Sequence, residues 1–80
     1  MSKLADAMTA IGDVCRNRRK ATELVQLFIE GDRIYADINT MLDDPRALSP
    51  YFQERGYDVI QIAHLDGCAY QYTMVQEDGD

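Results

Sequence analysis

Three side chains close together in the chain have the types that bind metals: His64, Asp66 and Cys68. A turn between the first and last would set the imidazole opposite the thiol, with the carboxylate in the loop. A tetrahedral zinc site needs a further well-placed donor, and the neighbouring sequence supplies none. The expectation is therefore a turn-end histidine packed on a cysteine, with no metal assigned. His64 is the only histidine. No Ser-His-Asp set and no glycine-rich phosphate loop can be assembled around it, so neither an enzyme nor a cofactor is expected. The two cysteines, Cys15 and Cys68, match no zinc or redox spacing and read as buried, reduced thiols.

Binding chemistry is better represented. Arg16, Arg18, Arg19 and Lys20 form a basic cluster suited to docking phosphate or an acidic protein surface, although Asp13 and Glu23 would balance it on a solvated helical face. The opposite sign dominates overall: 14 acidic against 8 basic side chains give a formal charge of −6. That balance disfavours nucleic acid and anionic lipid as direct partners. Charges cancel over residues 1–40. Beyond them, Arg46 and Arg55 face Asp43, Asp44, Glu54, Asp58, Asp66, Glu77, Asp78 and Asp80. Five of the seven aromatic residues are tyrosines, which are favoured at interfaces for their contact area and polar tip. With Tyr70 and Tyr72 assigned to a buried hairpin face, the candidate protein-binding surface is Asp43, Asp44, Tyr51, Glu54, Tyr57 and Asp58. It would suit a basic partner.

The elements that position these residues follow from spacing. At 80 residues with 46% hydrophobic and 28% charged side chains, the chain should fold as one domain spanning 1–80. Ser2 is a good N-cap for a helix over residues 1–19, with Leu4, Met8, Ile11 and Cys15 on one face. Residues 20–56 read as a helical region. Ala21, Leu24, Val25 and Phe28 make a helical stripe that Gly31 ends, whether a second helix starts near Lys20 or one bent helix continues to Ile29. Over 32–42, Ile34, Ala36 and Ile38 alternate as in a strand, but Ile34, Tyr35, Ile38, Met41 and Leu42 fit a helical face more completely, and a helix is expected. A turn and one or two helical turns over 50–55 should follow, closed by Gly56.

Residues 57–76 read as a β-hairpin. A three-residue loop, Leu65-Asp66-Gly67, pairs His64 with Cys68, Ile62 with Tyr70, Ile60 with Tyr72 and Asp58 with Met74, giving one apolar and one wetter face. Asp58 would end the core-facing row and must reach solvent at the rim. Residues 77–80 should fray. The fold class is α+β: N-terminal helices, a short helix and a C-terminal antiparallel hairpin packed on them.

Thr22-Glu23-Leu24-Val25-Gln26-Leu27-Phe28-Ile29-Glu30-Gly31 leading into Asp32-Arg33-Ile34-Tyr35-Ala36-Asp37-Ile38 resembles a winged helix-turn-helix domain. Phe52-Gln53-Glu54-Arg55-Gly56-Tyr57-Asp58-Val59 is similar to a recognition helix entering the first wing strand, and Cys68-Ala69-Tyr70-Gln71-Tyr72 to the returning strand. The resemblance implies a DNA-binding regulator. Pro50, however, stands in mid-recognition helix, and residues 43–56 offer only Arg46 and Arg55 against three carboxylates.

The expected function is a small, cytoplasmic, non-enzymatic protein that docks an acidic face on a basic partner as an inhibitor or regulator. In general character it resembles phage-encoded inhibitors, anti-CRISPR proteins among them, which implies mimicry of phosphates toward a nucleic-acid-binding complex. The alternatives are a winged-helix transcriptional regulator and a homodimeric subunit joined through Leu4, Met8, Ile11 and Cys15. No export signal or membrane span is expected: Asp6 interrupts the N-terminus and the longest apolar runs are triplets.

Overall fold

The computed structural model describes residues 2–17 and 22–77. Arg18, Arg19 and Lys20, the start of any second helix and the tail beyond Glu77 lie outside the described residues.

Helix α1 spans Lys3–Asn17. Ser2 caps it, its Oγ accepting from the Ala5 amide at 3.3 Å. Its buried face is Ala7, Ile11, Val14 and Cys15, rotated from the expected stripe, so Leu4 and Met8 are left exposed. The seam expected for a dimer is thus divided: Ile11 and Cys15 belong to the chain's own core.

The segment expected as helix is instead a hairpin. Strand β1 (Glu23–Glu30) pairs antiparallel with β2 (Arg33–Asn39), and Gly31 at φ 64° opens the two-residue loop, as primed hairpin turns require. β2 adopts the alternation of Ile34, Ala36 and Ile38, all fully buried. In β1 the pairing skips Val25. This bulge puts Leu24 and Leu27 on the same face at a spacing of three, which imitates a helical interval. The two helices on which the winged-helix likeness rested are therefore strands.

After β2 the chain crosses the buried face. Asp44 caps a single 3-10 turn, Pro45–Leu48, and helix α2 follows over Ser49–Glu54. Pro50 sits in the first turn of α2, where a missing amide hydrogen costs nothing. Gly56 at φ 88° then turns the chain into β3 (Tyr57–Asp66), which pairs antiparallel with β4 (Ala69–Gln76). The predicted hairpin is present, but its register differs. The loop is Gly67-Cys68, with Asp66 opposite Ala69, His64 opposite Tyr70 and Ile62 opposite Tyr72. Further along, Ile60 is skipped, so Val59 rather than Asp58 faces Met74. Glu77, expected to fray, donates its amide to the Gly56 carbonyl at 2.7 Å.

Pairing of β2 with β4 joins the hairpins into one four-stranded antiparallel sheet of order β1-β2-β4-β3. α1, the 3-10 turn and α2 cover one side of it. Between them lie Ile34, Ala36, Ile38, Tyr72 and Met74 from the sheet and Ile11, Val14, Leu48 and Phe52 from the helical layer. Phe52 meets Tyr72 edge-on, with ring centroids 5.5 Å apart. The architecture is α+β, with a hairpin of two strands where residues 20–42 were expected to be helical. No helix of the described residues is long and apolar enough to cross a membrane.

Candidate docking surface

The side of the sheet away from the helices is uncovered among the described residues. Its composition follows from register, because side chains directly opposite one another across paired strands share a face. Four rows cross the sheet from β1 to β3: Glu23, Asn39, Ala69 and Asp66; Gln26, Asp37, Gln71 and Ala63; Phe28, Tyr35, Thr73 and Gln61; Glu30, Arg33, Val75 and Asp58. The four corners are all carboxylates, Glu23, Glu30, Asp66 and Asp58, and a fifth, Asp37, lies inside. Arg33 is the one cation in this array.

An aromatic pair lies on the β1–β2 side of this face. Phe28 and Tyr35 stack with centroids 4.9 Å apart and planes 12° from parallel, and Phe28 is 39% exposed. Beside Tyr35, Thr73 is only 5% exposed. Gln71 Nε2 donates to Asp37 Oδ1 at 3.0 Å, which anchors that carboxylate and leaves its second oxygen for another donor. The exposed aromatic pair thus lies toward the β1 edge, flanked by Glu30 along β1 and Asp37 along β2, and aromatic contact area bordered by charge is characteristic of protein interfaces.

The bulges sharpen this surface. Val25, Ile60 and Leu65 are the residues that the strand pairing skips, and all three are exposed. They lie on the edge strands β1 and β3, where a bulge interrupts the ladder that another chain's strand would extend. The Ile60 bulge also moves Asp58 from the core-facing row, where it was expected, to the open face.

The residues expected to form the binding surface are distributed differently. Asp43 is exposed in the loop before the 3-10 turn, and Glu54 is exposed at the end of α2. Asp44 is engaged: its Oδ1 accepts from the Arg46 amide at 3.0 Å and from Arg46 Nε at 3.2 Å. These bonds hold its carboxyl below the usual carboxylate range and push the Arg46 guanidinium up. Tyr51 is half-buried against the core. Tyr57 is 4% exposed, so it belongs to the interior; burial, followed by the Asp6 charge, raises its phenol. Asp58 alone joins the open sheet face. On the helical side Arg46 and Arg55 are interspersed with the carboxylates, so its field is mixed where the sheet face is acidic.

Of the basic cluster, Arg16 is described, and it pairs with Asp13 on α1. The expected His64–Cys68 pair does not form. His64 stacks on Tyr70 at 4.7 Å, and its Nε2 lies 2.8 Å from the Gly67 carbonyl oxygen. Cys68 is exposed rather than buried, whereas Cys15 is buried, and desolvation pushes the Cys15 thiol up to about 11. Among the described residues, no three His, Cys, Asp or Glu side chains converge as metal ligands would.

The residues that sequence reasoning missed are Glu23, Glu30, Asp37, Phe28 and Tyr35. The signal was the strand alternation in residues 34–38, which also puts Tyr35 and Asp37 on one face. No known protein family, curated protein or solved structure matches this chain.

Proposed function

We propose that this is a cytoplasmic, non-enzymatic binding protein that lays the open face of its sheet on a basic protein surface and acts there as an inhibitor or regulator. The observation that carries this reading is the placement of five carboxylates, at the corners and interior of one sheet face that also bears the Phe28–Tyr35 stack. Such a field draws in lysine- and arginine-rich surfaces and repels phosphate. Aromatic residues on an open sheet can serve as a stacking platform for single-stranded nucleic acid, but those platforms are ringed by cations. Here the face carries five carboxylates to one arginine, which supports a protein that competes with nucleic acid for its partner's arginines and lysines. In that role it acts in the manner of small phage-encoded inhibitors, anti-CRISPR proteins among them.

The test compares immobilised wild-type protein with two variants. One neutralises the sheet face (Glu23→Gln, Glu30→Gln, Asp37→Asn, Asp58→Asn, Asp66→Asn), and the other the helical side (Asp43→Asn, Asp44→Asn, Glu54→Gln). The expected result is a basic protein retained by wild type and the helical-side variant, lost from the sheet-face variant and released by salt. Retention by the sheet-face variant, or tight binding of duplex DNA by the wild type at physiological salt, contradicts the reading.

A further inference from the structure

We infer that the open face selects arginine over lysine, by seating a guanidinium on the Phe28–Tyr35 stack between the carboxylates of Glu30 and Asp37. This deepens the proposed function and rests on it.

Glu30 lies two residues beyond Phe28 on β1, and Asp37 two residues beyond Tyr35 on β2. Same-face neighbours along a strand are about 7 Å apart, and paired strands about 4.8 Å. One carboxylate therefore flanks the stacked pair along each strand, in opposite directions across the sheet. A group seated on the rings has Glu30 on one side and Asp37 on the other, with Arg33 opposite Glu30 as the one competing cation. A guanidinium is planar, stacks on aromatic faces and directs several hydrogen bonds outward in its own plane, so it can use the rings and both carboxylates together. An ammonium is a compact, strongly hydrated charge that gains the attraction of the carboxylates but stacks on nothing. Asp37 is already oriented by Gln71 through Oδ1, which lowers the cost of fixing it for a ligand.

Charge also decides between occupants. A second copy laid face to face would oppose acidic corners to acidic corners, whereas an arginine-bearing segment of a basic protein neutralises them.

The test uses defined probes, hexa-arginine and hexa-lysine peptides, titrated calorimetrically into the intact protein. A stacking contribution at an exposed site corresponds to about two- to fivefold, so hexa-arginine should bind tighter by at least that factor. Phe28→Leu with Tyr35→Leu should abolish the preference by weakening arginine binding while leaving lysine binding unchanged; circular dichroism confirms that the variant is folded. If it is not, Phe28→Leu alone should reduce the preference. Equal affinities, or a preference that survives loss of the rings, overturn the inference, and the proposed function stands if both peptides still depend on the five carboxylates. If neither peptide binds, or binding ignores those carboxylates, the proposed function fails as well. Sedimentation showing a dimer that the ring substitutions dissolve would assign the face to a second copy and overturn the inference too.

Discussion

The hydroxyl of Tyr72, at the centre of the sheet, donates to the carbonyl of Pro45 at 2.6 Å. This bond ties the buried face of β4 to the segment that crosses it between β2 and α2. Tyr72 is fully buried, so its hydroxyl has no water to fall back on. Tyr72→Phe should lower stability by about 1 kcal/mol, and more if the orphaned Pro45 carbonyl stays dry. Urea denaturation at neutral pH measures this, and an unchanged midpoint would show that the bond contributes nothing.

The core is small, and single truncations should weigh heavily. Phe52→Ala removes the ring that meets Tyr72 and should cost about 3–5 kcal/mol. A domain of this size has roughly 4–12 kcal/mol in total, so much of the population should unfold at moderate urea. A shift of the urea midpoint equivalent to less than 1 kcal/mol would contradict the packing described.

Alkaline pH should destabilise the fold through Cys15. A thiol in the unfolded chain ionises near 9.0, but in the folded chain only near 11. The sign follows from proton counting. Below 9.0 both states hold the proton and stability is complete; between these values the unfolded state releases it first, and stability falls as pH rises. Burial of Tyr72 and Tyr57 acts in the same direction at higher pH. Urea midpoints at pH 8 and pH 10.5 should show the fall, and Cys15→Ala should make it shallower. In the native protein at pH 8, a thiol reagent should modify Cys68 at once and Cys15 only on opening, with Cys68→Ser removing the fast phase.

Two glycines should respond with opposite signs. An added Cβ at Gly12 meets nothing nearer than Arg16 Nη1 at 3.6 Å, so Gly12→Ala should stabilise α1 by about 0.5–1 kcal/mol. Gly31 has open space around it but φ of +64°, so Gly31→Ala strains the backbone and should destabilise by about 1 kcal/mol. Thermal melts of the two variants should move apart, upward for the first and downward for the second.

Arg33 stands across from Glu30 in the last row of the open face. Arg33→Gln removes the one competing cation there, and hexa-arginine should bind about twofold tighter, in line with the modest strength of exposed charge pairs. Weaker binding would mean that Arg33 helps to orient Glu30.

Much of the second half of the fold was legible because its signals are local. Asp44 and Gly56 are cap and stop residues whose physics acts within a turn, and the short helix and the two strands of the second hairpin formed close to where expected, although α2 is preceded by Leu48 and Ser49 lies within it instead of capping it. The first hairpin was misread because a bulge at Val25 replaces the two-residue period with a three-residue interval, and no residue nearby announces it. The bulge at Ile60 changed faces in the same way and carried Asp58 out of the core-facing row. The acidic character of the protein was plain from composition. Which carboxylates meet on one surface was not, because Glu23 and Asp66 share a row only through β2 and β4 lying between them.

The most direct test of the acidic sheet face as the binding surface is to follow the carboxyl carbon and aromatic signals of the labelled protein by NMR while hexa-arginine is added at low salt. The account predicts progressive shifts for Glu30, Asp37, Phe28 and Tyr35, with Asp43 and Glu54 unmoved. Shifts confined to Asp43 and Glu54, with the sheet-face signals unchanged, would contradict it.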